Sequence, residues 1–161
     1  MTDETANAGA DEALEPEVRI LGQYVKDLSF ENPNAPAILQ DPGGDPAINV
    51  NVNVDASKLD EDVYEVVLTL NVDAKVDGEK ALFITELSYA GVFGLIGIDE
   101  EHHGIACLVE APRLIFPFAR RIVADVTRDG GFPPLMLEPI DFMALFQQRM
   151  AQEAEEAGEP N

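Results

Sequence analysis

Strict alternation of apolar and polar residues is the feature of this sequence that most constrains its fold. Residues 48–55, INVNVNVD, carry a β-branched residue at every even position and Asn or Asp at every odd position. Residues 63–76 repeat this period, with Tyr, Val, Leu or Ala at every even position. Because a strand points successive side chains to opposite faces, each segment has one buried face and one face in solvent. The pattern predicts two long strands that share one core.

Two further segments extend this pattern. Residues 18–32 alternate less regularly and place four apolar side chains on a face expected to contact the core: Ile20, Tyr24, Leu28 and Phe30. Asp77-Gly78 is typical of a tight turn, so a hairpin is expected into a strand over residues 81–93. The connection at residues 33–47 holds four prolines and two glycines, which predicts an irregular segment crossing an edge or an end of the sheet. Consecutive strands of this kind favour an antiparallel meander.

Helical spacing replaces the alternation after Ile98, with apolar residues at Leu114, Ile115, Phe118, Ile122 and Val126. Gly130-Gly131 predicts the end of this helix, and Pro117 predicts a kink or a late start. Residues 132–139 are expected to be extended, and Asp141 to cap a last helix. Three aromatic residues at helical spacing are expected in the core: Phe118, Phe142 and Phe146. Strands followed by helices predict an α+β fold with the helices packed on one sheet face.

Charge separates the ends of the chain from its centre. The 161 residues include 31 acidic and 10 basic side chains, a net charge of −21. Such a field repels nucleic acid and anionic membranes, so binding to either is not expected. Residues 1–17 hold six acids and no base, and residues 153–161 hold four acids and no base. These ends are predicted to be disordered acidic tails around a single domain at residues 18–152.

The sequence gives little support for a secreted protein or for a metal site. Cys107 is the single cysteine, the first residues lack a secretory signal, and no uncharged run reaches the about 18 residues of a membrane span. A cytoplasmic protein is therefore expected. Residues 99–107, DEEHHGIAC, include His103 and Cys107, but their spacing matches no closed zinc pattern and adjacent histidines diverge. We expect a polar turn there, a structural cysteine, and neither a metal nor a cofactor.

Several surface features remain open to two interpretations. Asp27 and Glu31 lie about 13 Å apart in a strand, too far for a catalytic dyad, and form either a solvated face or a row for a basic partner. Residues 89–98 contain three glycines, which indicate close backbone packing or the floor of an apolar groove. Residues 113–146 are more apolar than a small core needs, and Phe132, pinned between glycines and prolines, is a candidate for contacts outside the protomer.

Four segments resemble the SecB family of protein-export chaperones: QYVKDLSFENPNAP at 23–36, DVYEVVL at 62–68, GVFGLIGI at 91–98 and FPFARRIVADVTRDGGFPPLMLEPIDFMALF at 116–146. The resemblance implies a four-stranded antiparallel sheet followed by helices and assembled as a dimer of dimers. It also implies a function, in which precursor proteins are held unfolded in the cytoplasm and passed to the SecA motor. The family's large aromatic residue in the first long connection is missing here from QDPGGDP at 40–46, so clients are expected to be gripped by aliphatic area.

The resemblance also implies roles for particular residues. The SecA contact surface maps to Asp27, Glu31, Ile84 and Glu86. The client groove maps to Phe93, Ile96, Phe132 and Leu135. Two residues of the first long helix are expected to contribute to subunit packing: Ile115 and Ile122.

The sequence thus predicts a non-enzymatic, ATP-independent holding chaperone that forms a homotetramer and binds unfolded precursors and SecA. Three alternatives stay open at this point. The chain could be an assembly factor for a folded basic partner, or an enzyme with a small-molecule pocket at His103 and Cys107. It could also be a structural subunit whose apolar surface is used entirely in oligomerisation.

Overall fold

The alternating segments become strands of one antiparallel sheet in the computed structural model, which describes residues 15–158. The sheet has the strand order β1-β4-β3-β2. The four predicted strands are confirmed, with bounds β1 (Glu17–Glu31), β2 (Ala47–Asp60), β3 (Val63–Val76) and β4 (Lys80–Ile96). β1 and β2 are therefore the two edge strands.

Two tight turns and one long connection join the strands. Asp62 and Asp77 adopt positive φ angles of 57° and 54°, a conformation that Asp tolerates well in turns. Because β1 pairs with β4, the chain between β1 and β2 crosses the end of the sheet from one edge to the other, as predicted. It contains a helical turn, α1 (Ala37–Gln40), that the proline content did not predict. Ile38 anchors this turn with only 1% of its surface exposed.

A nearly continuous helical run follows β4, where a polar turn was expected. It begins with a 3₁₀ turn (Glu100–His102) and α2 (His103–Ile105), passes through a π-helical segment (Ala106–Glu110), and continues as α3 (Ala111–Asp129). The polar turn predicted for residues 99–107 is confined to the exposed Glu100–His102, because Ala106 and Cys107 at the end of this segment are buried and helical. α3 passes through Pro117 and ends before Gly130, so the predicted stop is confirmed while a late start is not.

The last helix, α4, spans Phe142–Gly158. Its predicted cap is confirmed, since the backbone N–H of Ala144 donates to Oδ1 of Asp141 at 3.0 Å. The helix includes residues 153–158, which were expected to belong to a disordered tail. Glu17, also expected in a tail, begins β1, while residues 1–14 and 159–161 of the predicted tails lie outside the described residues.

The helices cover one face of the sheet, which confirms the α+β prediction. Even-numbered side chains of β3 and odd-numbered side chains of β4 point to this helix face, where the central residues are fully buried: Val66, Leu68, Leu70, Leu87 and Phe93. α3 adds side chains at helical intervals, among them Ile115, Ala119 and Val123. Phe142 is buried as predicted, whereas Phe118 is 41% exposed and not a core residue. We call the opposite side of the sheet the open face.

Edge strand β1 departs from the predicted core face. Its register against β4 shifts between Ile20 and Gly22 and again between Val25 and Asp27. Each shift inserts one residue and reverses which side chains face the helices. Tyr24 consequently lies on the open face, while Ile20 and Leu28 keep the helix face but remain 37% and 41% exposed. Of the four residues expected on the core face, Phe30 does pack against the core, with its ring stacked on Phe83 at 5.8 Å. The prediction is wrong for Ile20, Tyr24 and Leu28, which remain exposed within the protomer.

Candidate binding surfaces

Four predicted partner-binding residues lie together on the open face. Glu31 pairs with Ile84 and Ser29 pairs with Glu86 across β1 and β4, while Asp27 pairs with Ser88. Paired residues share a sheet face, so these side chains form one patch, which we call the acidic surface: Asp27, Glu31, Ile84 and Glu86. Ile84 is 40% exposed within it. Among the ion pairs of the described residues, none involves the three carboxylates, which leaves their charge available to a partner.

A polar cluster next to the acidic surface was not foreseen from the sequence. Nζ of Lys26 donates to Oε1 of Glu65 at 2.8 Å, and the Tyr24 hydroxyl donates to the same carboxylate. The hydrogen bond from Lys26 lowers the pKa of Glu65, with a further contribution from Tyr24. The hydrogen bond to Glu65 in turn raises the pKa of Tyr24. These side chains of β1 and β3 reach across β4, which carries only the small Ala90 beside Tyr24 on this face.

A long cleft, here named the β2 groove, runs along the helix face of edge strand β2. One part, about 570 Å³, lies between β2 and the segment from Leu135 to Ile140. A second part, about 470 Å³, lies between β2 and α4, and Val52 lines both parts. Ile48 and Val50 on its floor are each 44% exposed, and Met136 on its wall is 57% exposed. The groove therefore offers aliphatic surface along a strand edge.

The wall of the groove is fixed to α3 by a buried hydroxyl. Oγ1 of Thr127, which is fully buried, accepts the backbone N–H of Leu135 at 2.9 Å and donates to the carbonyl of Val123 at 2.9 Å. Leu137 is also buried and holds the segment against the core. The segment is thus pinned at alternate positions, and Met136 between them is turned outward.

The residues expected to contact clients are not together in this groove. Leu135 lines it, while Phe132 is half-buried and its ring packs against Phe83 with centroids 5.3 Å apart. Phe93 is completely buried, so its expected client contact is wrong; the sequence could not reveal that its side chain faces α3. Ile96 lies near the end of β4, in a separate cleft that it shares with the β2–β3 turn at residues 61–63.

The three glycines at residues 91–97 differ in their surroundings: Gly91 packs closely against Phe93, whereas Gly94 and Gly97 line a cleft of about 370 Å³ with Leu95 and Ile96. A Cβ atom on Gly91 would lie 2.7 Å from the ring of Phe93, so glycine at this position makes room for that ring. Leu21 lies over Gly94 on the open face. The residues that form the β2 groove were missed because they come from three segments. The one sequence feature that could have indicated the groove is the excess of β-branched residues on strand β2.

A second apolar surface joins β1 and α3 on the helix face. It includes exposed residues of both elements: Ile20, Val25, Leu28, Leu114 and Phe118. Of the two α3 residues expected at a subunit contact, Ile122 is half-buried, whereas Ile115 is fully buried and packs inside the protomer. The helix therefore turns Ile115 toward the sheet and Leu114 and Phe118 outward.

His103 and Cys107 have structural surroundings. Nε2 of His103 lies 3.0 Å from the carbonyl of Ile98, and its Nδ1 lies 3.0 Å from the Tyr64 hydroxyl, so both ring nitrogens have hydrogen-bond partners inside the protomer. Burial raises the pKa of the Cys107 thiol to about 11, which keeps it protonated at neutral pH. A separate, exposed group of possible metal ligands brings together Asp99, Glu101 and His102, and such groups are common without an ion.

Among the described residues, no helix is both long and apolar enough to cross a membrane.

Known proteins are similar to this chain over most of its length. Residues 11–153 match a family model described as SecB, preprotein translocase subunit SecB. The protein-export protein SecB of Agrobacterium fabrum is 56% identical over 153 residues, covering 95% of each chain. The same protein of Parvibaculum lavamentivorans is 49% identical over 160 residues, covering 98% of this chain and 95% of the relative.

The fold also has a solved counterpart. A Mycobacterium tuberculosis SecB-like chaperone, solved in complex with a ChAD peptide from the HigA1 antitoxin, superposes with a TM-score of 0.64. The match covers 76% of this chain and 90% of that one. At 16% sequence identity the likeness concerns the fold alone.

Proposed function

The chain belongs to the SecB family of protein-export chaperones, and on that premise we propose that it holds precursor proteins unfolded in the cytoplasm and delivers them to the SecA motor. Family members are export chaperones and not enzymes. Holding requires no ATP, because it depends only on the relative rates of binding, release and folding. The observation that carries the proposal is the β2 groove, which joins aliphatic surface to a free strand edge.

The chemistry of the groove suits an extended, unfolded segment. The carbonyl of Val54 is bonded to α4 and therefore points away from β3. Since outward-pointing residues alternate in an antiparallel pair, the backbone groups of Ile48, Val50 and Val52 also face the free edge. An added strand would take main-chain hydrogen bonds from this edge and place alternate side chains against the aliphatic floor. Main-chain bonding makes such capture largely independent of client sequence.

A second copy of this chain is the proposed partner of the apolar surface on β1 and α3. β1 is an edge strand, so pairing of two β1 edges would extend the sheet and cover Ile20, Val25 and Leu28. Leu114 and Phe118 on α3 offer the remaining apolar area for joining two such dimers. A dimer of dimers would present four grooves, and simultaneous binding at several grooves raises the effective concentration of a long client.

The acidic surface is the proposed contact for SecA. Exposed Ile84 is flanked by Glu31 and lies near Glu86, an apolar anchor beside negative charge. Charge complementarity with a basic region of the motor mainly accelerates encounter, so this contact should weaken as salt rises. Client binding by aliphatic area should persist under the same conditions.

The proposal is tested by native mass measurement with one precursor in its unfolded and folded forms. We expect capture of the unfolded form alone, which distinguishes a holding chaperone from an assembly factor for a folded partner. Val50→Asp, on the groove floor, should abolish capture, while Asn51→Asp, on the opposite face of the same strand, should retain it. Glu86→Lys should lose SecA and keep the client. Equal capture by both β2 variants would refute the groove assignment.

A further inference from the structure

An arginine of α4 occupies the free edge of β2. Nη1 of Arg149 donates to the carbonyl of Val54 at 2.8 Å, and its Nε lies 3.5 Å from Oε1 of Glu153, one turn further along the helix. The Arg149 side chain is 43% exposed, so a competing group can reach it from solvent. α4 itself is weakly buried, since Phe142 is its one buried residue in the described part of the chain. The contact is therefore both specific and displaceable.

Val54 divides the edge of β2 into two parts of different chemistry. Residues 48–54 contain neither proline nor a charged residue, the features that commonly protect a strand edge from pairing with another chain. Charged residues follow at once, at Asp55, Lys58 and Asp60. Arg149 thus binds the edge where its unprotected part ends.

The hydrogen bond uses an acceptor that a paired strand would need. In an antiparallel ladder each outward-pointing carbonyl accepts an N–H from the neighbouring strand. The outward carbonyls of Ile48, Val50 and Val52 are open to a client, while that of Val54 is occupied by Arg149. We propose that Arg149 sets the length of the client segment that pairs with β2. A short segment pairs along residues 48–52, and a longer one must displace the guanidinium. This inference rests on the proposed client site.

Labelled peptides of two lengths test the inference in the full chain. The probes are fluorescein-labelled peptides of alternating valine and serine, five and nine residues long, with a copy of each N-methylated at alternate amides. N-methylation removes the donors that pair with an edge strand and leaves the side chains unchanged. Fluorescence anisotropy gives the affinity of each peptide for the wild type and for Arg149→Met. Arg19→Met, an equal charge change at an exposed ion pair on the open face, is the matched control.

We expect Arg149→Met to bind the nine-residue peptide about fivefold more tightly than the wild type does, because a charge-assisted hydrogen bond no longer competes. Its affinity for the five-residue peptide, and both affinities of Arg19→Met, should be unchanged. Glu153→Gln, which keeps the arginine and removes its second partner, should shift the nine-residue affinity in the same direction by a smaller factor.

Two results would overturn the inference in different ways. If N-methylation abolishes binding but Arg149→Met changes both peptide lengths equally or not at all, pairing at the edge is real and Arg149 does not limit its length. If N-methylated and unmodified peptides bind alike, or none binds, edge pairing itself fails, and the proposed client site fails with it.

Discussion

Thr127→Val should loosen the wall of the β2 groove while leaving the sheet intact. The hydroxyl of Thr127 is fully buried and accepts the N–H of Leu135 at 2.9 Å. Valine preserves the branched shape but leaves this amide without its acceptor. An unsatisfied buried donor costs about 1–3 kcal/mol, and because Leu135 is half-buried we expect a loss of about 1–2 kcal/mol in the free energy of unfolding.

Urea unfolding measures the loss, and Thr127→Ser is the control. Serine keeps the hydroxyl and removes one buried methyl group, a change of about 1 kcal/mol. Because the two losses are similar, the amide hydrogen exchange of Leu135 separates the mechanisms. It should accelerate about tenfold more than that of the β3 amides in Thr127→Val, as a local loss of about 1.4 kcal/mol requires. In Thr127→Ser, the exchange rates of the Leu135 amide and of the β3 amides should change by the same factor.

The reasoning would be refuted if the Leu135 amide exchanged at the same rate in both variants. The hydroxyl would then act only within α3, through the carbonyls of Val123 and Ala124, and the segment would be held by Leu137 and its other contacts. A functional consequence accompanies the expected result. Capture of unfolded precursor should fall in Thr127→Val and remain close to wild type in Thr127→Ser, because only the former displaces the groove wall.

Three further predictions concern other parts of the molecule. Phe118→Asp should reduce the native mass of the assembly without unfolding the protomer, whereas Ile115→Ala should cost about 2–5 kcal/mol of stability through a core cavity. Gly91→Ala should cost about 1–3 kcal/mol in urea unfolding, because its Cβ would strike the Phe93 ring, and an unchanged midpoint would contradict this packing. The lowered pKa of Glu65 adds stability that is present above its unfolded pKa and lost as pH falls through the folded one. Glu65→Gln should therefore lose at most about 1 kcal/mol at neutral pH and nothing in strong acid, and an equal loss at both pH values would contradict the linkage.

Local patterns predicted the elements of this fold because burial of a strand or helix depends on neighbours in sequence. The alternation at residues 63–76 matches β3 in full, and Asp77-Gly78 closes the expected hairpin. The same patterns could not reveal the two register shifts in β1, since an inserted residue leaves no compositional mark. They also could not distinguish an apolar residue of the core from an exposed one on the same helix, as buried Ile115 and exposed Phe118 demonstrate.

The binding surfaces depend on contacts between distant segments, which no local pattern specifies. Asp27 and Glu31 indicated an exposed acidic row, but only the register with β4 brings Glu86 beside it. The β2 groove combines β2 with the segment at residues 135–140 and with α4. Its charge-free strand was visible in the sequence, whereas the arginine that reaches its edge was not.

The strand order β1-β4-β3-β2 leaves two separate edges, and if β1 joins subunits and β2 binds clients, as proposed, it imposes a minimum reach on clients. In a pair joined through β1, the sheet would have eight strands, and the two β2 edges would stand about 34 Å apart at the usual strand spacing. An extended chain needs at least about ten residues to cover that distance. Short exposed loops of a nearly folded protein would occupy one groove at a time, whereas long unfolded stretches would engage two. Discrimination between folded and unfolded proteins would then follow from the width of the sheet, without recognition of any particular sequence.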